Sequence, residues 1–142
     1  MSRMIPSDGY TDDEIRDIFL NSRRIVVVGM SRNPEKPAHY VPMYLKERGY
    51  EIIPVNPMAD EIAGLKVYKS ILDVEGDIDV VDVFRPSEEV PKVVREAIKK
   101  NPKVIWLQEG IYHPEAVELA QEAGIKIVWN RCMMREHKRL FR

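Results

Sequence analysis

The apolar positions fall into six short runs, at 24–28, 51–55, 66–68, 79–84, 103–107 and 126–129, and amphipathic stretches separate most of them. The first run, Ile25-Val26-Val27-Val28, is continuously β-branched, as expected of a strand buried on both faces of a parallel sheet. Ahead of it, Thr11-Asp12-Asp13-Glu14 has the form of a capping box, and Ile15, Ile18 and Phe19 share one face, which predicts a helix from Thr11 to about Asn21. Ala38, Val41, Tyr44 and Leu45 predict a second helix ending at Arg48-Gly49. Pro42 removes a backbone donor from it, so the expected start shifts toward Tyr40.

Lys66-Val67-Tyr68 reads as a short strand or extended edge, and Ser70 to Val74 as a single helical turn. Val90, Val93, Val94, Ala97 and Ile98 define a helix with Ser87 as its expected N-cap. His113-Pro114 opens another, lined by Ala116, Leu119, Ala120 and Ala123 and closed at Gly124. Strands alternating with helices imply parallel pairing. The predicted fold class is therefore α/β, a doubly wound, mostly parallel sheet in a single domain spanning 1–142. The expected strand order is 3-2-1-4-5, or that order plus one edge strand. Residues 1–21 read as an N-terminal helical extension and 133–142 as a basic C-terminal tail, a solvated helix or frayed end rather than a binding arm.

Composition narrows the function by exclusion. With 142 residues the chain suffices for one core, and its net charge of −1 gives no bulk reason to expect nucleic acid or a membrane. No apolar run approaches the roughly 20 residues that span a bilayer. Met1-Ser2-Arg3-Met4-Ile5-Pro6 has no apolar core of a signal peptide, and a single cysteine allows no internal disulfide. The expected location is cytoplasmic.

In a doubly wound sheet the residues just past the carboxyl ends of the strands converge on one crevice. Here they are Gly29-Met30-Ser31-Arg32, Asn56-Pro57, Phe84-Arg85, Gln108-Glu109-Gly110 and Asn130-Arg131-Cys132. A dinucleotide fingerprint would need glycine where Ser31 and Pro34 stand, and an acid near Asn56. A tight turn at Gly29, the Ser31 hydroxyl, exposed N–H groups and the cations Arg32 and Lys36 instead suit a ligand richer in phosphate than NAD. Phe84 offers a ring face and Arg85 a cation, with Glu88 or Glu89 as alternative partners for that cation. Gln108 offers an amide and Gly110 a close backbone approach. Cys132 reads either as a small buried hydrophobe or as a ligand-facing thiol stabilised by Arg131 and Arg135. His39, His113 and His137 have no metal-ligand spacing, and no metal is expected.

Several of these segments, in order, resemble the small stand-alone CoA-binding domain proteins. They are 27–37 (Val-Val-Gly-Met-Ser-Arg-Asn-Pro-Glu-Lys-Pro), Ile53-Pro54-Val55-Asn56-Pro57, Val81-Asp82-Val83-Phe84-Arg85, Val104-Ile105-Trp106-Leu107-Gln108 and Asn130-Arg131-Cys132. The resemblance runs from about Ser22 to Cys132 and implies a Rossmann-like domain similar to the N-terminal domain of the succinyl-CoA synthetase α subunit, with coenzyme A as cofactor. It implies phosphate contacts from Gly29, Met30, Ser31, Arg32 and Lys36. Val55, Asn56, Pro57, Phe84 and Arg85 would flank the nucleotide or pantetheine, and Gln108 and Gly110 would line the same crevice. Asn130 stands where the family commonly has an acid, and Met30, where a smaller residue is usual, is expected to narrow the pocket. Ligase chemistry is not implied, because the catalytic histidine of the synthetase belongs to a later domain. The expected function is a non-catalytic carrier, sensor or regulatory module for CoA or an acyl-CoA, with catalysis left open. Two alternatives stand beside it: disulfide exchange between Cys132 and CoA, and a nucleotide-dependent oxidoreductase. A second copy or a protein partner is left open.

Overall fold

The computed structural model describes residues 4–142, so Met1, Ser2 and Arg3 of the expected N-terminal extension lie outside the described residues. Five strands, β1 (Arg24–Val28), β2 (Glu51–Val55), β5 (Val80–Val83), β6 (Val104–Leu107) and β7 (Lys126–Val128), form a parallel sheet in the order β2-β1-β5-β6-β7. Two further strands, β3 (Glu61–Ile62) and β4 (Leu65–Lys66), make a small antiparallel hairpin. The expected order holds, with its edge strand β7, except that the third run is reduced to one parallel bridge between Tyr68 and Val55. The hairpin takes Lys66 and leaves only Tyr68 free to pair with the sheet edge.

Helices α1 (Asp12–Leu20), α2 (Pro37–Glu47) and α5 (Met133–Leu140) cover one face of the sheet, packing Ile15, Phe19, Val41, Leu45 and Met133 on Val27, Trp106 and Val128. Helices α3 (Val90–Lys99) and α4 (Pro114–Glu122) cover the other, over Val26, Val81, Ile105 and Ile127. The domain is thus doubly wound, Rossmann-like, and β1 and β5 meet at the point where the strand order reverses.

The expected capping box at Thr11 and Glu14 is present, as are His113 at the N-cap of α4 and the single helical turn Ile71–Asp73 capped by Ser70. Two local expectations fail. Ser87 does not cap α3, because its hydroxyl accepts the Tyr112 N–H (3.2 Å) and the helix begins at Val90. Helix α2 starts at Pro37 despite Pro42 in its interior. The carbonyl that Pro42 leaves without a helical donor is that of Ala38, and the Ser31 N–H donates to it (3.1 Å), so the hydrogen-bond defect is repaired by the preceding loop.

The basic residues at the C-terminus are not a frayed end. Helix α5 buries Met133 and Leu140, stacks His137 on Phe141 and sets it edge-on to Phe19, and pairs Arg139 with Asp12 and Glu136. No helix of the described residues is long and apolar enough to cross a membrane.

Candidate functional site

Strand β1 ends where it must turn sharply. Gly29 has φ +87°, and a Cβ there would lie 2.7 Å from the Phe84 carbonyl oxygen and 2.8 Å from the Arg85 Cδ. Only glycine lets the loop pass this close to the end of β5. The loop then knits itself together: the Gly29 N–H donates to the Val55 carbonyl (2.9 Å), the Asn33 N–H to the Ser31 hydroxyl (3.0 Å) and the Glu35 N–H to the Asn33 side chain (3.0 Å). The Lys36 N–H donates to the Asn33 carbonyl (3.1 Å). Of the backbone donors expected here, these N–H groups, with that of Ser31, are satisfied internally, while those of Met30 and Arg32 have no acceptor among the described residues. Side chains and these two donors are what the loop offers an anion.

Those side chains border a crevice of about 910 Å³ at the strand ends. Gly29, Met30, Ser31, Arg32, Lys36, Val55, Asn56, Pro57, Phe84 and Arg85 all border it, so ten of the residues singled out in the sequence are brought together. Arg32 and Lys36 have no carboxylate within salt-bridge distance among the described residues. Arg85 instead pairs with Glu89 (2.7 Å), one of the two alternatives open in the sequence. Asn56 is a brace: its amide donates to the Met30 carbonyl (2.9 Å) and its oxygen accepts the Met58 N–H (2.8 Å). The Met30 side chain does not narrow the crevice. It is fully buried in the core beneath α2, because the residue after Gly29 points inward.

Lys69 and Lys92 also border the crevice, and sequence reasoning missed both. Lys69 was findable, since it follows Tyr68, the end of the reduced third strand; its ammonium is held by Asp60 (2.8 Å) and the Ala59 carbonyl (2.7 Å). Lys92 lies in the first turn of α3 and was findable as well, since a helix that follows β5 begins beside the strand ends.

A second, apolar chamber of about 450 Å³ lies between α2 and α5. It shares Lys36, Ala38, Phe84 and Arg85 with the first and is otherwise bordered by Tyr40, Val41, Gln108, Ile111, Cys132 and Met134, among others. Gln108 is 4% exposed, and its amide donates to Asp82 Oδ1. Asp82 stands on β5 between Val27 and Trp106, fully buried, and its second oxygen has no partner. Burial pushes its carboxyl up to about 8, the Gln108 hydrogen bond opposing this only in part. It is therefore a neutral acid at pH 7.

Gly110 joins neither space; its N–H donates to the Asn130 side chain (2.7 Å). Asn130 itself has φ +56°, a conformation asparagine tolerates, and its side chain ties the β6 and β7 ends together. Cys132, half-buried, stands at the N-cap position of α5 without a capping bond from its side chain, and it borders the apolar chamber. The guanidiniums expected to stabilise its thiolate are engaged elsewhere. Arg131 forms a two-pronged pair with Asp8 (2.6 and 2.9 Å), and Arg135 pairs with Glu109 (2.7 Å). Among the described residues no group of acidic, cysteine or histidine side chains is placed to hold a metal ion.

A doubly wound sheet with a glycine turn, free cations and a two-part crevice at the switch point defines a binder of a phosphate-bearing cofactor. Residues 23–138 match the family described as CoA binding domain, and the chain belongs to it. Coenzyme A is its cofactor. The chain is 40% identical to the uncharacterized protein YneT of Bacillus subtilis over 124 residues, 87% of this chain and 92% of that protein. It is 34% identical to the ADP-forming acetate–CoA ligase II of Archaeoglobus fulgidus over 130 residues, 83% of this chain but only 19% of the ligase. A structure described as a hypothetical protein from Pyrococcus horikoshii superposes with a TM-score of 0.93 at 46% identity, covering both chains completely. Small proteins of this length and one segment of a much larger ligase therefore share the domain. Arg32 and Lys36, without a carboxylate partner among the described residues, border the crevice near the Gly29 turn, and cations so placed suit phosphate groups.

Proposed function

We propose that this domain is a non-catalytic CoA module, a carrier, sensor or regulatory element that holds the cofactor across both chambers and works in the cytoplasm. Arg32 and Lys36 would hold phosphates, with Ser31 donating its hydroxyl. Gly29, Val55 and Pro57 would shape the nucleotide side, which Asn56 braces. Phe84 and Arg85 would sit at the passage between the chambers, and Gln108 beyond it. The observation that carries the reading is the pair of unpaired cations at the Gly29 turn, opening onto a crevice that continues past Phe84 into an apolar space. The binding role, rather than group transfer, is supported by the polar groups around Cys132. Arg131, Arg135 and Glu109 are committed to ion pairs, and Asp82 is buried and neutral.

When bound, CoA supplies a thiol as a handle for acyl groups. The chain's own residues would bind its anionic end, orient the arm and seat the far end against an apolar surface. Calorimetry with CoA, dephospho-CoA, NAD and NADP tests this. CoA should bind tightest, and Arg32→Ala should weaken it by a factor on the order of 10, the worth of a charge-assisted hydrogen bond. Tighter binding of NAD or NADP would refute the reading.

A further inference from the structure

We infer that the chamber between α2 and α5 is an acyl pocket, so that the domain prefers acyl-CoAs with a short to medium chain over free CoA; this rests on the CoA reading above. The chamber, about 450 Å³, is within the size range of small-molecule sites, about 300–1,000 Å³. Its walls are Tyr40 and Val41 from α2, Phe84 and Ile111 from the strand ends, and Met134 from α5. The charges among its lining residues are Glu109 and Arg135, paired at 2.7 Å, Arg85, paired with Glu89 at 2.7 Å, and Lys36, so the one cation without a carboxylate partner among them is shared with the phosphate-side crevice.

The chemistry of the two ends of the ligand decides between occupants. A pantetheine arm carries two amides, each needing partners when removed from water. The chamber supplies one buried amide, Gln108, and that side chain is already tied at its nitrogen to Asp82. A hydrocarbon chain needs no partner and is favoured by these walls. The fit is an acyl thioester entering past Phe84, with Gln108 as the polar contact near the thioester and the alkyl chain lying against Tyr40, Ile111 and Met134. Asp82 acts as a positioning residue that fixes the Gln108 amide. Met134, flexible and polarizable, lets the pocket accept more than one chain length.

Titration calorimetry of the full chain with CoA, acetyl-CoA, butyryl-CoA and hexanoyl-CoA tests the assignment. Each buried methylene should tighten binding about fourfold until the pocket is full. In Met134→Trp, which fills the chamber, hexanoyl-CoA affinity should fall at least tenfold more than CoA affinity. Tyr40→Ala, at a position 41% exposed, should flatten the chain-length dependence in the same direction, with the variant's urea midpoint measured alongside to confirm that it is folded. Equal affinities along the series, or free CoA binding tightest, would overturn the acyl pocket while leaving CoA binding intact. Failure to bind CoA and every acyl-CoA would overturn the underlying reading as well.

Discussion

Gly29 and Phe84 meet across the switch point of the sheet: the Phe84 carbonyl occupies the position a Gly29 side chain would need, at 2.7 Å from the virtual Cβ. The two strand ends that build the site are therefore in contact through backbone. Neither the Phe84 carbonyl nor the strand behind it can yield without disturbing the sheet. Gly29→Ala adds the cost of φ +87° to that overlap, roughly 1–3 kcal/mol before any clash is counted. Urea denaturation should show a loss of at least this size, and calorimetry a loss of CoA binding beyond what the remaining folded fraction explains.

The contact between Ser31 and Ala38 gives a second prediction. Pro42→Ala restores a helical donor to the Ala38 carbonyl, which would then compete with the Ser31 N–H. Helix α2 should gain stability by less than the roughly 3 kcal/mol cost of an unrepaired interior proline, because Ser31 already satisfies that carbonyl, while the loop carrying Arg32 loosens. The expected outcome is a higher melting temperature together with weaker CoA binding. A variant that gains stability with unchanged affinity would show that the loop is held by its other bonds alone.

Asp82 should make stability fall as pH rises. Its carboxyl is raised to about 8 in the fold, against an ordinary 3.8. Between those values the unfolded chain has lost a proton that the folded chain keeps, so stability declines by up to about 1.4 kcal/mol per pH unit. Asp82→Asn is neutral throughout and can still bond Gln108. Its stability relative to the native chain should improve steadily from pH 4.5 to 8, measured by urea midpoints. Parallel pH profiles for the two proteins would mean that Asp82 is ionised in the fold.

His137 has the opposite sign. Burial, with help from Arg48, lowers its pKa, and its Nδ1 faces the Tyr44 hydroxyl at 2.9 Å. Below the ordinary value of 6.5 the unfolded chain takes up a proton that the folded one resists, so stability is lost as pH falls through that point. Thermal melts at pH 7.5 and 5.5 should show this loss in the native chain and a smaller one in His137→Gln. Because His137 joins α5 to α2, the two walls of the apolar chamber, hexanoyl-CoA binding should weaken over the same pH interval.

The strand pattern, the capping box at Thr11, the helix entry at His113 and the strand-end residues were legible along the chain, because each depends on local periodicity or on neighbours within four residues. The convergence of Gly29, Arg32, Asn56 and Arg85 was legible too, since a parallel sheet places all its carboxyl ends on one edge. Tertiary structure alone decided what those residues do there. Asn56 became a brace and Met30 a core residue, because each faces a carbonyl or a helix supplied from elsewhere in the chain. The N–H of Ser31 went to Ala38 because Pro42 left that acceptor vacant. Arg131 went to Asp8, 123 positions away, and α5 closed over the sheet as a wall rather than trailing as a basic tail. Local sequence sets which groups reach the site; long-range packing sets which remain free once neighbours have claimed the rest, and here that left two cations at the turn and an apolar chamber behind Phe84.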